Sequence, residues 1–535
     1  MKKFFSFLLL LGYMVAQAQI QDLAKMSSGK LVEFAPIYKS EKLDEMASVN
    51  KIWGYYAIYQ LDAIESDKYK MEYVLLDKNL NKFANGEFVG YYVRALGKTF
   101  PMNYSIYLEE KTNIAVLSGS YGYYSYTYCY DIDLKNNTLS KPYVYDDGKK
   151  KPIEINSLRK LVTKEYREDI KNLKSKADEK YYETVDSTGY MVYNFKRNNQ
   201  KRQYLDELSY YNTKDSSLVW TKKMNELAAE KDKKEREIYF YNFLNSNDNT
   251  IIFTKTIERN DIKIKLDGYQ KINHKLYGIT CLDRKTGNVI YDNDIFKDKT
   301  IIYTSIVGGK IIKGEKYVFI YEGINKDNEL EGYNFNLIDL KEGKITKENT
   351  FSFKDVNSPD LKFRGNGNKL EGGYELIMKD YSVYQDGRVM MLLEKMKFGV
   401  GYLSNQVNVK STDLVMANFD ANFVFKGINI FNKEYSKERA FGGDKDYLFS
   451  QYIDNGNGDA LFYKDKVKDQ DTKSKEWKLG IITVRGGEVK KEELPMSAKD
   501  EFLIEPFPAK EGYILLREYN EKDKYNQIRL EKLNF

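Results

Sequence analysis

The chain contains very few of the residues from which most catalytic and metal-binding sites are built. Its 535 residues include one histidine, His274, and two cysteines, Cys129 and Cys281. A zinc site made of histidine and cysteine needs about four such ligands at close spacing, and this composition argues against one. Acyl-transfer catalysis needs a base beside its nucleophile, but His274 is better interpreted as a solvated residue at the start of a strand. We therefore assign no catalytic residue, and we expect neither a metal ion nor a cofactor.

Long apolar segments and a strong excess of charge are also missing. Beyond the N-terminus, no stretch approaches the ~20 apolar residues that a membrane-spanning helix needs, so we expect no transmembrane segment in the mature chain. The net charge of +6 is small for 535 residues, and the basic run at residues 149–151 follows an acidic pair at residues 146–147. Such mixed charge does not indicate a nucleic-acid-binding surface, and we expect no nucleic-acid partner.

Residues 1–18 have the composition of a secretory signal peptide. Two lysines, an apolar core over residues 4–15 and an Ala-Gln-Ala cleavage site at residues 16–18 follow one another in the order that such peptides require. We predict that the mature chain begins near Gln19 and is exported to the periplasm or to the cell exterior.

Aromatic residues are abundant, and one stretch shows how they are arranged. The sequence holds 47 Tyr and 28 Phe against 8 Pro, and this tyrosine-rich composition favours β-strands. In residues 275–295 a run of apolar and β-branched residues ends at Asp283, and a return strand begins at Val289. The Asp283 carboxylate can accept backbone N–H groups, and Gly287 supplies the positive φ that a type I turn followed by a bulge requires.

The same turn recurs along the chain at fixed spacing. An Asp or Asn is followed four residues later by Asn, Ser or Gly, and six residues later by an apolar residue. The five sets are Asp77, Asn81 and Phe83; Asp133, Asn137 and Leu139; Asn212, Ser216 and Leu218; Asp283, Gly287 and Val289; and Asp339, Gly343 and Ile345. Looser copies lie near Gly486 and near Asp420, where the turn resembles the one at Asp77. With a terminal strand at residues 527–535, these turns indicate eight repeated units.

Each unit contains two hairpins, which is the make-up of a four-stranded β-propeller blade. We predict an all-β fold, a β-propeller of eight or seven mostly four-stranded blades, as a single domain over residues 19–535. Short helix-prone insertions are expected near residues 157–180 and 225–237. A β-solenoid or several separate β domains is the alternative. Residues 29–37 have no hairpin partner of their own and are expected to close the last blade.

Residues 281–291 resemble the blade motif of quinoprotein-type β-propellers. The shared motif is x-x-Asp-x-x-Thr-Gly-x-x-x-aromatic. The last position is usually tryptophan and is Tyr291 here. Those enzymes place adjacent cysteines and a calcium site around the quinone. Here Cys129 and Cys281 lie far apart in different units, and we favour free thiols over a disulfide, which needs Cα atoms within ~7 Å. The resemblance implies the architecture of a secreted bacterial β-propeller and no cofactor site.

One stretch concentrates residues that can bind a ligand. In residues 121–130, YGYYSYTYCY, a strand would place Tyr124, Tyr126 and Tyr128 on one face, where they can stack on sugars or form a protein interface. The alternative, which we favour, is that these rings pack between blades. A Gly-rich loop at residues 454–459 offers oxygen ligands but lacks the spacing of a calcium loop, so we interpret it as a hairpin tip.

These observations predict an exported binding or scaffold propeller that recognises a protein or glycan of the cell envelope or its surroundings. The alternative function is a carbohydrate-active enzyme that uses carboxylates at the mouth of the propeller channel. Asp and Glu are so abundant, 79 in all, that spacing selects none of them. A structural envelope protein is a third hypothesis.

Overall fold

The structure is a computed structural model that describes most of the chain. The described residues are 20–38, 52–65, 68–95, 98–109, 113–121, 126–146, 149–153, 179–186, 188–197, 203–223, 236–265, 271–294, 306–324, 329–400, 407–433, 436–439, 447–468, 475–496, 503–520 and 525–533. The predicted signal peptide, residues 1–18, lies outside them. The two predicted insertions lie almost wholly outside as well, and their last residues, 179–180 and 236–237, begin strands.

The described chain consists almost entirely of β-strands, which form eight antiparallel sheets; we number these as blades in chain order. The first strand, β1 (Ile20–Asp22), belongs to the last blade. Blade 1 contains β2 (Lys30–Tyr38), β3 (Ile52–Glu65), β4 (Lys68–Asp77), β5 (Lys82–Ala95) and β6 (Lys98–Pro101). Blade 2 contains β7 (Asn103–Glu109), β8 (Ile114–Tyr121), β9 (Tyr126–Asp133), β10 (Thr138–Leu139), β11 (Tyr143–Asp146) and β12 (Lys149–Pro152).

The next three blades have four strands each. Blade 3 contains β13 (Glu179–Asp186), β14 (Gly189–Arg197), β15 (Gln203–Asn212) and β16 (Leu218–Lys223). Blade 4 contains β17 (Arg236–Ser246), β18 (Thr250–Lys265), β19 (Lys271–Asp283) and β20 (Val289–Asp294). Blade 5 contains β21 (Ile306–Ile312), β22 (Lys316–Ile324), β23 (Leu330–Asp339) and β24 (Lys344–Ser352).

The last three blades complete the fold. Blade 6 contains β25 (Lys369–Leu370), β26 (Tyr374–Val383), β27 (Val389–Val400), β28 (Val407–Phe419), β29 (Phe425–Phe431) and β30 (Ser436–Arg439). Blade 7 contains β31 (Tyr447–Ile453), β32 (Gly458–Lys468), β33 (Lys475–Arg485) and β34 (Glu488–Pro495). Blade 8 contains β35 (Leu503–Pro508), β36 (Tyr513–Asn520) and β37 (Tyr525–Lys532). Short 3-10 turns lie at Leu23–Lys25, Phe353–Asp355, Glu371–Gly373 and Asp454–Gly456.

Strand order confirms the predicted fold class, an all-β propeller of eight mostly four-stranded blades. The last blade takes β1 as its fourth strand, with Gln21 opposite Ile528. The expectation that residues 29–37 close the last blade is therefore wrong. These residues form most of β2, which pairs with β3 in blade 1. Because residues 39–51 separate the two strands, no tight turn marks this hairpin in the sequence.

The strands group into two compact units, residues 1–168 with 449–535, and residues 169–448. In the first unit the Tyr56 hydroxyl of blade 1 donates a hydrogen bond to the Tyr104 backbone oxygen of blade 2, 3.1 Å away. In the second unit Phe335 of blade 5 packs on Phe419 of blade 6, with ring centroids 4.7 Å apart. Tyr56 thus fills space between blades while its hydroxyl finds a hydrogen-bond partner.

Four of the five predicted corners have the predicted backbone conformation. The positive φ angles are +51° at Asn137, +55° at Ser216, +68° at Gly287 and +61° at Gly343. The prediction for blade 1 is wrong by one residue, since Leu80 has φ +67° and Asn81 does not. The Leu80 N–H donates to the Asp77 oxygen three residues back, whereas the Gly287 N–H reaches the Asp283 oxygen four residues back. The blade 1 corner is therefore one residue tighter.

The corner at Asp420 follows the tighter pattern, which confirms its predicted likeness to the Asp77 turn. Phe423 has φ +61°, and its N–H donates to the Asp420 oxygen over 2.9 Å. In both tight corners the residue with positive φ is apolar and buried, since Leu80 and Phe423 are 0% and 1% exposed. Burial of these side chains offsets the cost of a conformation that such residues rarely adopt.

The blade 4 corner also joins blade 4 to blade 3. The Arg284 side chain is buried, and its Nε donates to the Tyr210 hydroxyl at 2.8 Å while its Nη1 donates to the Asn247 oxygen at 2.9 Å. The Trp220 indole N–H donates in return to the Arg284 oxygen at 2.9 Å. A Cβ at Gly287 would lie 2.6 Å from the Trp220 ring. Gly287 is therefore required by the close approach of Trp220 as well as by its φ.

Candidate functional site

The three tyrosines predicted from the sequence are not seen together as a surface. Tyr128 in β9 is 2% exposed, and its ring lies edge-on to Tyr130 with centroids 5.9 Å apart. Tyr128 is therefore buried against another ring, as expected if the tyrosines of this stretch pack between blades. Tyr126 opens β9, and Tyr124 lies outside the described residues. Ligand binding by this stretch therefore remains a prediction.

The other polar features of the sequence give no metal site in the part of the chain that the structure describes. No group of three or more His, Cys, Asp or Glu side chains there could hold an ion. The loop at residues 454–459 is the tip of the β31–β32 hairpin, as predicted. No helix within the described ranges is long and apolar enough to cross a membrane.

The two cysteines are free thiols in buried positions. Burial raises the pKa of Cys129 to about 12, and burial also raises the pKa of Cys281 far above its ordinary value. The thiolate is the reactive form of cysteine. Both residues therefore serve as small apolar parts of their blades.

Blade 6 departs from the four-stranded pattern in a way that changes which side chains meet. The pairing register shifts between Met378 and Asp380 in β26, and again between Glu394 and Met396 in β27. The edge of the blade also changes strand, because β30 pairs with β28 alongside β29. Irregularities of this kind bend a strand and re-aim its side chains.

One face of the bulged strands carries a tyrosine surrounded by lysines. The ammonium groups of Lys395, Lys397 and Lys410 lie 5.3, 5.7 and 5.5 Å from the centroid of the Tyr374 ring. Tyr374 and Lys410 are half-buried and Lys397 is exposed. We call these four residues the Tyr374 surface. The electron-rich face of the ring attracts the three cations and offsets part of their mutual repulsion.

Lys395 and Lys397 of the Tyr374 surface each have an acceptor within the chain. Lys395 pairs with Asp413 at 3.0 Å, and Lys397 donates to the backbone oxygen of Gly372 at 2.7 Å. Lys397 and Lys410 are register partners across β27 and β28, and Lys410 is the register partner of Lys437 across β28 and β30. Lys397 and Lys410 thus lie directly opposite each other, although like charges in that arrangement destabilise a sheet.

A buried ionic cluster lies in the same strands. The Glu394 carboxylate is 0% exposed, accepts a hydrogen bond from the Ser411 hydroxyl at 2.5 Å and contacts the Lys433 ammonium. Lys433 also donates to the Ser411 oxygen at 3.0 Å, and Lys379 lies 3.5 Å from the second carboxylate oxygen. Charges are costly to bury unless they are paired in this way. The cluster ties β26, β27 and β28 to the segment that leads into β30.

Sequence reasoning missed the Tyr374 surface because no local signal marks it. The chain holds 85 Lys and Arg residues, so a pair such as Lys395 and Lys397 stands out only after the strands are aligned. The corner at Asp420 gives no signal either, because blade 1 has a corner of the same tighter kind.

Comparison with known proteins gives structural likeness at low scores. No family model matches the chain, and no curated protein matches it. The WD40 domain of SCAP from fission yeast matches at 10% identity and a TM-score of 0.32, covering 96% of this chain and 94% of that chain. The β-propeller domain of the Trilobed protease from Pyrococcus furiosus matches at 11% and 0.31, covering 86% and 95%. A PL25 ulvan lyase matches at 9% and 0.33, covering 79% and 90%. These scores carry no argument about function.

Proposed function

We propose that this chain is an exported binding or scaffold propeller that recognises a protein or glycan of the cell envelope, and that it binds through the Tyr374 surface. The observation that carries the proposal is the gathering of three ammonium groups within 5.3–5.7 Å of one ring centroid. Export rests on the signal-like composition of residues 1–18. In this proposal the corner motif is part of the architecture of a secreted bacterial propeller whose repeats resemble those of quinoproteins. The proposal includes no quinone cofactor.

A purely structural role gives no reason to place Lys397 opposite Lys410. Like charges directly opposite each other in a sheet cost roughly 0.2–1 kcal/mol. Natural proteins keep such locally unfavourable arrangements mainly at functional sites. Lys397 is exposed and Lys410 half-exposed, so an anionic group from a partner can reach both side chains.

The buried cluster supports this surface without being able to bind a ligand itself. Glu394 and Lys433 have fully buried side chains, whereas Lys395 follows Glu394 in the chain and faces Asp413. By fixing the bulge at Glu394, the cluster holds Lys395 and Lys397 beside the Tyr374 ring. Binding geometry is most precise when it is held on strands by buried contacts of this kind.

Capture from cell-envelope extracts tests the proposal. The immobilised mature chain, residues 19–535, is compared with Lys397→Gln/Lys410→Gln and with Lys344→Gln, a control whose exposed lysine pairs with Glu342 at 2.6 Å. We expect wild type and control to retain the same protein or glycan, and the double variant to lose most of it. Equal capture by all three would overturn the binding site. Turnover of a polysaccharide that a single carboxylate substitution abolishes would instead make the chain a carbohydrate-active enzyme.

A further inference from the structure

We infer that Lys433 and Glu394 condense into an isopeptide bond, a covalent amide that joins their side chains and ties β27 to the segment after β29. The two groups meet in the buried ionic cluster of blade 6. The Lys433 ammonium contacts Oε1 of Glu394, and both side chains are 0% exposed. An amine held against a carboxyl group is an intramolecular nucleophile, and such positioning supplies a large part of the activation free energy.

Apolar neighbours keep water away from this pair. Ile377 is the register partner of Glu394 across β26 and β27. Met396 is the register partner of Ser411 across β27 and β28, and it is 0% exposed and forms an apolar cluster with Val409. Two opposite charges are costly to hold in such a place, and a neutral amide costs less to bury. Condensation therefore lowers the cost of burial, and the exclusion of water protects the bond from hydrolysis.

Ser411 and Lys379 hold the positions that the reaction needs. The Ser411 hydroxyl donates to Oε1 of Glu394 at 2.5 Å and accepts from the Lys433 ammonium at 3.0 Å. It can therefore pass a proton from the nitrogen to the carboxylate oxygen. The Lys379 ammonium lies 3.5 Å from Oε2 of Glu394, where negative charge develops when the nitrogen attacks. Ser411 and Lys379 are thus positioning residues for the condensation.

The step is a condensation in which nothing is oxidised or reduced. The Lys433 ammonium gives one proton to Oε1 through Ser411, and the resulting amine attacks Cδ of Glu394. A bond forms between Nζ and Cδ, and the bond between Cδ and Oε1 breaks. A second proton from the nitrogen leaves with Oε1, which departs as water. One hydrogen stays on the nitrogen, and Oε2 becomes the carbonyl oxygen of the amide.

Mass spectrometry of the denatured chain tests this inference, because denaturation removes every non-covalent contact. We expect wild type, residues 19–535, to be lighter than the mass of its sequence by one water molecule more than Lys433→Met is, a difference of about 18 Da. Trypsin should release a branched peptide that joins residues 389–395 to residues 427–437. Trypsin does not cleave after a lysine whose amine has become an amide, so Lys433 remains inside the second arm.

Two further variants separate the chemistry from packing. Lys369→Met is the control, because the half-exposed Lys369 lies 3.0 Å from Glu329, and this variant should give the same branched peptide as wild type. In Ser411→Ala we expect the yield of that peptide from freshly expressed protein to fall about tenfold or more. An equal yield in Ser411→Ala would overturn the role of Ser411. Folded wild type with the full mass of its sequence, or with a branch at another pair of residues, would overturn the inference.

Discussion

The blade 4 corner and the bulged strands of blade 6 use charge in opposite ways. In blade 4, the Asp283 carboxylate accepts N–H groups of its own turn, and Arg284 is buried with hydrogen-bond partners on blade 3. In blade 6, Lys397 and Lys410 face each other across two strands beside Tyr374. Asp283 and Arg284 thus find partners within the chain, whereas Lys397 and Lys410 place like charges opposite each other. The repeated corner positions serve the fold, and the proposed binding site lies in a blade that departs from the four-stranded pattern.

The largest loss of stability is expected from a substitution in the buried ionic cluster of blade 6. Glu394→Gln removes the carboxylate that faces both Lys379 and Lys433, and loss of one partner of a buried ion pair costs about 3–5 kcal/mol. Glu329→Gln is the matched control, because Glu329 pairs with Lys369 at 3.0 Å with both side chains about half exposed. Urea unfolding should show little change for that control, as exposed pairs contribute about 0–1 kcal/mol. Similar losses in the two variants would refute the account of the cluster.

The blade 4 corner sets an intermediate effect. Gly287→Val combines a β-branched residue at φ +68° with a clash against Trp220, and we expect a loss of roughly 2–4 kcal/mol in the free energy of unfolding. Gly314→Val is the control, because Gly314 has φ +67° and no neighbour within 4 Å of an added Cβ. The difference between the two variants isolates the contact with Trp220. Equal losses would show that this contact contributes nothing.

The smallest effect concerns the pH dependence of the same corner. Burial works to raise the pKa of Asp283, but hydrogen bonds from the Thr286 hydroxyl and from backbone N–H groups outweigh it and lower that pKa. A lowered pKa in the folded state stabilises the protein above the unfolded pKa of ~3.9 and loses this contribution as pH falls through the folded value. Asp283→Asn, which copies Asn212 of blade 3, should therefore be less stable than wild type at pH 7. Denaturation curves should show that the difference in unfolding free energy between wild type and Asp283→Asn is smaller near pH 2.5 than at pH 7. A difference that stays constant would contradict the hydrogen-bonding account.

Much of the fold could be predicted from the sequence because turn chemistry is local. The four-residue spacing from Asp283 to Gly287 indicates a turn with positive φ, a conformation that few residues adopt. Because this spacing recurs along the chain, it predicted the corners and the number of blades. The pairing of β1 with β37 could not be predicted in this way, because it joins the two ends of the chain without any turn between them. The position of positive φ in the blade 1 corner was predicted wrongly for a similar reason. Burial offsets the cost of positive φ at Leu80, and the residues that bury it are distant in the sequence.

The candidate site was less accessible to sequence reasoning than the corners. The tyrosine-rich stretch at residues 121–130 drew the prediction because its residues are adjacent in the chain. Tyr374, Lys397 and Lys410 come from three strands, and two register shifts decide which side chains meet. Bulges depend on packing within the folded sheet, and no residue type in this chain marks them.

The most direct test of the central claim measures binding and stability together in Lys397→Gln/Lys410→Gln. A titration of the folded double variant with the envelope ligand that wild type captures should show an affinity about tenfold lower or worse. Its unfolding midpoint should stay at or above that of wild type, because removal of opposed like charges relieves repulsion. A lower midpoint with unchanged affinity would show that Lys397 and Lys410 stabilise the fold and do not bind the ligand. That result would contradict the account.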